Sequence, residues 1–197
     1  HKYAETLGRK YEDMNLVVAH LGGGISISAH SHGRIIDSVS DDAGPFSPDR
    51  SGSLNMLYVV DLCYSGKYTK PEMLKKLRGE GGMSALLGTH DCQEIERRIQ
   101  NGDEWASLVY KAQALQISKG VGIMLGCFTE LIDAVILTGG LEGVDGFGTG
   151  AQQAAGLAQQ ALDGAHRVLL TQLLGQVVGP PEDGVHHHVQ IALADGG

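Results

Sequence analysis

The chain is short of aromatic residues, proline, cysteine and positive charge, and most of these shortages remove a class of answer. Three cysteines in 197 residues, Cys63, Cys92 and Cys127, lie far apart and are odd in number. With no C-x-x-C pair they neither make a zinc site nor fill a disulfide framework, so reduced thiols in a cytoplasmic protein are expected. Lys and Arg total 15 against 23 Asp and Glu, a formal net charge of −8. No basic surplus exists to neutralise a nucleic-acid backbone or an acidic membrane, so neither partner is expected. No apolar run approaches the length of a bilayer span, and no secretory leader pattern opens the chain. The first residue is His1 and not Met, and a start that was cut, processed or lost is expected. Also missing are a Gly-Lys-Ser/Thr phosphate loop and a glycine fingerprint placed between strand and helix.

Apolar residues make up 42% of the chain, enough for one well-buried domain with or without a tail. His1 to Tyr11 carries helix formers and predicts an entering helix. Asn15-Leu16-Val17-Val18-Ala19-His20 is a short apolar run stopping at Gly22-Gly23-Gly24, which predicts a buried strand entering a glycine turn. Ile25, Ile27 and Ala29 alternate with Ser26 and Ser28, the pattern of a half-buried strand. After Gly33, Arg34 to Asp37 predicts a third strand, so the three form a meander. Ser40 to Gly52 reads as loop and Leu54 to Tyr64 as helix. Thr69-Lys70-Pro71-Glu72 is a capping box that opens a second helix, ended by Gly79, Gly81 and Gly82.

Asp91 with Glu94 opens a charged helix to about Gln100. Asn101 with Glu104 opens a long one whose expected apolar face is Trp105, Leu108, Val109, Ala112 and Leu115. Ala134-Val135-Ile136-Leu137 then predicts a buried strand ending in Thr138-Gly139-Gly140. The expected fold class is α/β: a mixed sheet with an antiparallel meander and flanking helices. Beyond Gly143 the composition turns to Gly, Ala and Gln, with one expected helix, Ala151 to Leu174, and one strand, Val189 to Leu193. The expected division is a folded domain over 1–142 and a divergent, partly disordered tail over 143–197.

Four loops carry the candidate chemistry. Gly22-Gly23-Gly24 lets backbone N–H groups converge on an anion without Cβ obstruction, with His20 and Ser26 as flanking polar groups. Taken alone, a tight hairpin turn explains it equally well. Gly44-Pro45-Phe46-Ser47-Pro48-Asp49-Arg50-Ser51-Gly52 is stiffened by two prolines and offers Arg50, a cation of the kind phosphoryl transfer needs. A surface arginine paired with Asp41, Asp42 or Asp49 is the plainer reading. Gly79-Glu80-Gly81-Gly82 with Gly88-Thr89-His90-Asp91, and Thr138-Gly139-Gly140, allow close backbone approach to a ligand at element ends. Gly146-Phe147-Gly148-Thr149-Gly150 lacks a strand before it and reads as linker. His30, His32 and His90 read as solvated loop histidines, and no metal is assigned to protein ligands.

In order and spacing, HLGGGISISAH, GPFSPDRSG, CYSGKYT, GEGGMSALLGTHD and AVILTGG closely resemble the butyrate kinase family, from roughly Tyr3 to Gly140. That family groups with the acetate kinases in the actin-like ATPase (ribonuclease H-like) fold. The resemblance implies reversible transfer of the ATP γ-phosphoryl group to a short-chain carboxylate, as in butanoate to butanoyl phosphate, with Mg²⁺ bridging the phosphates. It implies that Gly22, Gly23 and Gly24 form the phosphate turn with Ser26 beside it, and that His20 lies near the γ-phosphoryl. Arg50 would stabilise the transition state. Gly81, Gly82 and Asp91 would lie on the adenosine side, and Thr138, Gly139 and Gly140 would form the adenosine-proximal turn. It further implies a homo-oligomer, with the helices after Ser53 as one surface.

The chain departs from the family pattern in a shorter Asp37–Gly44 segment, in the absence of the family's first domain, and after Gly140. Those departures support a second reading, an incomplete and catalytically inactive nucleotide-binding fragment of such a kinase. A sugar kinase of the same superfold is a third, opposed by the Arg50 loop.

Overall fold

A computed structural model describes residues 1–40 and 42–139, together with the backbone of a strand at 190–193. Alternation of large apolar and small polar residues builds the sheet first. β1 (Asn15–Leu21) and β2 (Ile25–Ser31) pair antiparallel with Leu21 opposite Ile25, so the three glycines alone make the connection. β3 (Arg34–Val39) returns against β2 through His32 and Gly33, both at positive φ (49° and 77°), the pairing a two-residue hairpin turn requires. A register shift between Ala29 and His30 marks a bulge in that pair. β4 (Ala134–Thr138) joins β1 in parallel, and β5 (Gln190–Leu193) joins β4 in parallel, giving the order β3-β2-β1-β4-β5. The expected mixed sheet with its meander is thus present.

Helices surround it: α1 (Lys2–Thr6), α2 (Met56–Tyr64), α3 (Lys70–Leu77), α4 (Gly82–Leu87), α5 (Cys92–Gln100) and α6 (Glu104–Leu125). The expected entering helix is shorter than predicted, with Tyr11–Asp13 forming a separate 3-10 turn. The capping box opens α3 as expected, the Glu72 carboxylate accepting from Thr69 N and Oγ1 at 2.7 Å each. α6 is capped by Asp103 and not Asn101, its side chain accepting from Ala106 N at 2.9 Å. α4 was not expected, because Gly81 and Gly82 read as terminators and instead begin a helix. The predicted helix Ala151–Leu174 and the linker at 146–150 lie outside the described residues.

Two apolar layers clamp the sheet. On one face Val17, Ala19 and Leu21 of β1, Ile25, Ile27 and Ala29 of β2, and Val135 and Leu137 of β4 pack under α6. On the other, Leu16, Ala134 and Ile136 meet Ala4 and Met14. Burial on both faces is what a parallel central pair demands. α6 contributes Ala106, Val109, Tyr110, Gln113, Ile117, Val121 and Met124 to the core. The face predicted for it is corrected: Trp105, Leu108 and Leu115 are more than half exposed. Apolar residues occur on both sides of this helix, so spacing alone does not choose the buried side. Gly120 permits the close helix–sheet approach, since a Cβ there would stand 2.5 Å from Ile27 Cδ1. None of α2's nine residues is buried. Among the described residues no helix is long and apolar enough to cross a membrane.

Candidate active site

Three segments distant in sequence end at one edge of the sheet. His20 pairs across the ladder with Ser26 on one side and Thr138 on the other, so the three occupy one row on one face. β1 and β4 run parallel and finish here, where open α/β sheets place their ligands. Gly139, at φ +117°, tucks under the end of β1; a Cβ on it would stand 2.3 Å from the Leu21 carbonyl oxygen. Only glycine fits that approach. Gly140 lies outside the described residues.

The glycine turn closes this edge. Gly22 N donates to Gly24 O at 3.1 Å. A Cβ built on Gly23 would meet no atom within 4 Å, so the middle of the turn faces clear space. At the first glycine stands His20, whose Nε2 would be 3.2 Å from a Cβ on Gly22. At the third lies Arg50: a Cβ on Gly24 would come within 2.7 Å of Cζ and 2.8 Å of Nη1. The guanidinium therefore occupies the volume that any other residue at 24 would claim. The plainer reading of Arg50 as an ion-pair partner is met at Asp49, whose Oδ1 lies 3.8 Å from Nε with both side chains over a third exposed, while Asp41 lies outside the described residues.

The loop carrying Arg50 is tied down on every side. Ser47 N donates to Arg50 O at 3.0 Å, and Arg50 N donates to Ser47 Oγ at 3.1 Å. Ser47 Oγ in turn donates to Gly23 O at 2.5 Å. Behind the loop, Gln113 Nε2 donates to Phe46 O at 3.2 Å, while Phe46 N donates to Gln116 Oε1 at 3.0 Å. Gln113 is fully buried, and its Oε1 has no hydrogen-bond partner among the described residues. In front, Gly79 N and Gly81 N both donate to Asp49 O, at 2.8 and 3.1 Å. Gly82, at φ +55°, lies so close to this loop that a Cβ on it would fall 1.9 Å from Ser47 O. Gly81 and Gly82 are thus brought against the Arg50 loop.

Asp91 sits at the start of α5, where its carboxylate accepts from Gln93 N at 2.9 Å and Glu94 N at 3.3 Å. That is an N-cap, and it satisfies amides that would otherwise be orphaned. His30 is corrected from a loop to a strand residue. Its Nε2 and Nδ1 lie 2.7 Å from Ser28 Oγ and 2.6 Å from Tyr11 Oη, and burial lowers its pKa. Cys92 is buried, and desolvation pushes its thiol up to about 11, so it is an inert core residue. Among the described residues no group of three His, Cys, Asp or Glu could hold a metal ion.

Sequence reasoning missed Ser47 and the two glutamines of α6. The serine carried a weak signal, since Ser-Pro-Asp-Arg is turn-forming chemistry. The glutamines carried none, because their partners are backbone atoms about 70 residues away.

The profile of the acetokinase family matches residues 1–157. The chain belongs to the acetokinase family. It is 49% identical over 142 residues to a probable butyrate kinase 2 of Caldanaerobacter subterraneus subsp. tengcongensis, covering 72% of this chain and 40% of that protein. The acetate kinase of Porphyromonas gingivalis superimposes with a TM-score of 0.66 at 26% identity, covering 71% of this chain and 36% of that one. A propionate kinase of Francisella tularensis gives 0.69 at 21% identity, covering 98% and 49%. The actin-like fold expected from the loop motifs is therefore present in this acetokinase chain. The chain spans less than half the length of each of these relatives.

Proposed function

We propose that this acetokinase chain carries the nucleotide- and phosphate-handling half of a kinase that moves the ATP γ-phosphoryl group to a short-chain carboxylate, butanoate foremost. The single observation that supports it most is Arg50 resting on the glycine turn, a cation carried by a hydrogen-bonded loop beside a turn whose middle is open. A carboxylate oxygen attacks the γ-phosphorus, the new O–P bond forms, and ADP leaves with the electrons of the broken bond. Charge accumulates on the equatorial oxygens, and a preplaced guanidinium offsets it without reorganisation. His20 and Arg50, at the first and third glycines, would flank the transferring group.

The clear space before Gly23 fits phosphate oxygens, with backbone amides of the turn as donors. Mg²⁺, when bound, supplies neutralisation of the β- and γ-phosphates. Ser26 would add a hydroxyl near the turn, and Thr138, Gly139 and Gly140 would border the adenosine end. Gly81, Gly82 and Asp91 would lie on that same side. In this reading residues 1–142 carry the site, and the segment after them adds β5 at the edge of the sheet. The exposed apolar residues of α2, Met56, Leu57, Tyr58 and Tyr64 among them, would seat a second copy in a cytoplasmic homo-oligomer.

The chain's short span relative to its kin favours a second reading, that it binds nucleotide and does not catalyse alone. Hydroxamate trapping of acyl phosphate with acetate, propionate, butyrate and isobutyrate, beside calorimetric titration with MgADP, separates the two. The first reading predicts trapped product strongest with a four-carbon acid. Binding without product supports the second, and neither binding nor product from folded protein rejects both.

A further inference from the structure

We propose that Ser47 is the positioning residue that sets Arg50 over the glycine turn, a role that rests on the phosphoryl-transfer reading above. Ser47 is almost completely buried, at 1% exposure, so it reaches no substrate. Its hydroxyl has one proton and two lone pairs. The proton goes to Gly23 O at 2.5 Å, and a lone pair takes the Arg50 amide at 3.1 Å. Asp49 Oδ1, at 3.5 Å, is too distant to compete for that proton. One oxygen thus joins the carbonyl of the turn's central glycine to the main chain of the residue whose guanidinium covers the turn's third glycine.

The other polar atoms of Ser47 fix it from behind. Its N–H donates to Arg50 O, closing a short turn, and its carbonyl accepts from Met83 N at 3.1 Å at the start of α4. Gly82 has no Cβ and so lets that contact form. The residue is therefore held by one element while it holds two others. Removing the hydroxyl would leave Gly23 O and Arg50 N without their shared partner, and the distance between the turn and the guanidinium would no longer be set. A positional error of about 1 Å in such a group costs roughly 100-fold in rate.

The test compares Ser47→Ala, isosteric Ser47→Cys, Arg50→Ala and the Ser47→Ala/Arg50→Ala double variant in the full chain. Two readouts are taken beside thermal melting: the NMR signal of the Arg50 Nε–H group, and acyl phosphate turnover. The expected result is a sharp loss of order at the Arg50 Nε–H in both Ser47 variants, with distant amides little changed and a melting point lowered by only a few degrees, so that both variants stay folded. Turnover is expected to fall roughly 10- to 100-fold in Ser47→Ala, with the double variant no slower than Arg50→Ala, because the serine acts through the arginine. Unchanged Arg50 order in the Cys variant would overturn the proposal, as would rate losses that multiply in the double variant. Wild-type protein that makes no acyl phosphate would count against the phosphoryl-transfer reading instead, and the NMR arm would still decide where Ser47 holds Arg50.

Discussion

Gly24 and Arg50 compete for the same volume, and that fact makes a sharp prediction at the residue scale. The φ of Gly24 lies outside the positive region, so alanine is acceptable to its backbone. What the new methyl meets is the far end of a flexible side chain, within 3.0 Å of three guanidinium atoms. Gly24→Ala is expected to leave stability within about 0.5 kcal/mol of wild type, because the arginine swings aside. Turnover should nonetheless fall by about 100-fold. Parallel urea unfolding and rate measurement check this, and equal losses in both would show that the glycine is only structural. Gly82 is the contrast, since both its φ and the Ser47 carbonyl forbid a side chain. Two glycines that look alike in sequence thus serve different ends, and only the identity of the neighbouring atom separates them.

At the scale of elements, most of the secondary structure was legible in the sequence. The apolar runs at 16–19 and 134–137 stand out because the middle of a strand covered on both faces carries no polar residue. The capping signals at Thr69 and Asp91 were legible because they act within four residues of chain. Misreadings arose where tertiary context decides. Gly81 and Gly82 start α4 because the Arg50 loop packs against them, and a local reading of glycine as a helix terminator has no access to that loop. The buried side of α6 was misassigned because the helix is apolar on more than one face. Of the candidate site, the glycine turn and Arg50 stand out in the sequence through motif wording, whereas Ser47 does not. Its partner Gly23 lies 24 residues away, and no local pattern encodes that meeting.

Asp91 offers the test of an element. As the N-cap of α5 it holds two backbone amides, so Asp91→Ala should cost about 1 kcal/mol in urea unfolding while Asp91→Asn keeps most of the stability. Equal loss in both variants would show that charge, and not the cap hydrogen bonds, is what the position supplies.

At the scale of the whole molecule, the sheet brings together segments that are separate in the chain. The row Ser26–His20–Thr138 joins three strands, the glycine turn closes over its end, and α6 anchors the arginine loop through Gln113 and Gln116. The same α6 packs against β1 and β2, so the framework that buries the core also holds the arginine loop. That coupling explains how a site of mostly glycine and backbone atoms keeps its shape. In the proposed reaction Arg50 would stabilise the charge on the phosphoryl group as it passes to a carboxylate. ATP-dependent hydroxamate formation from butyrate by the purified chain, beside Arg50→Ala, decides whether it does. Product from the wild type and a loss of about 1,000-fold or more in the variant are expected. Equal rates in the two proteins, or no product from a folded wild type, would contradict it.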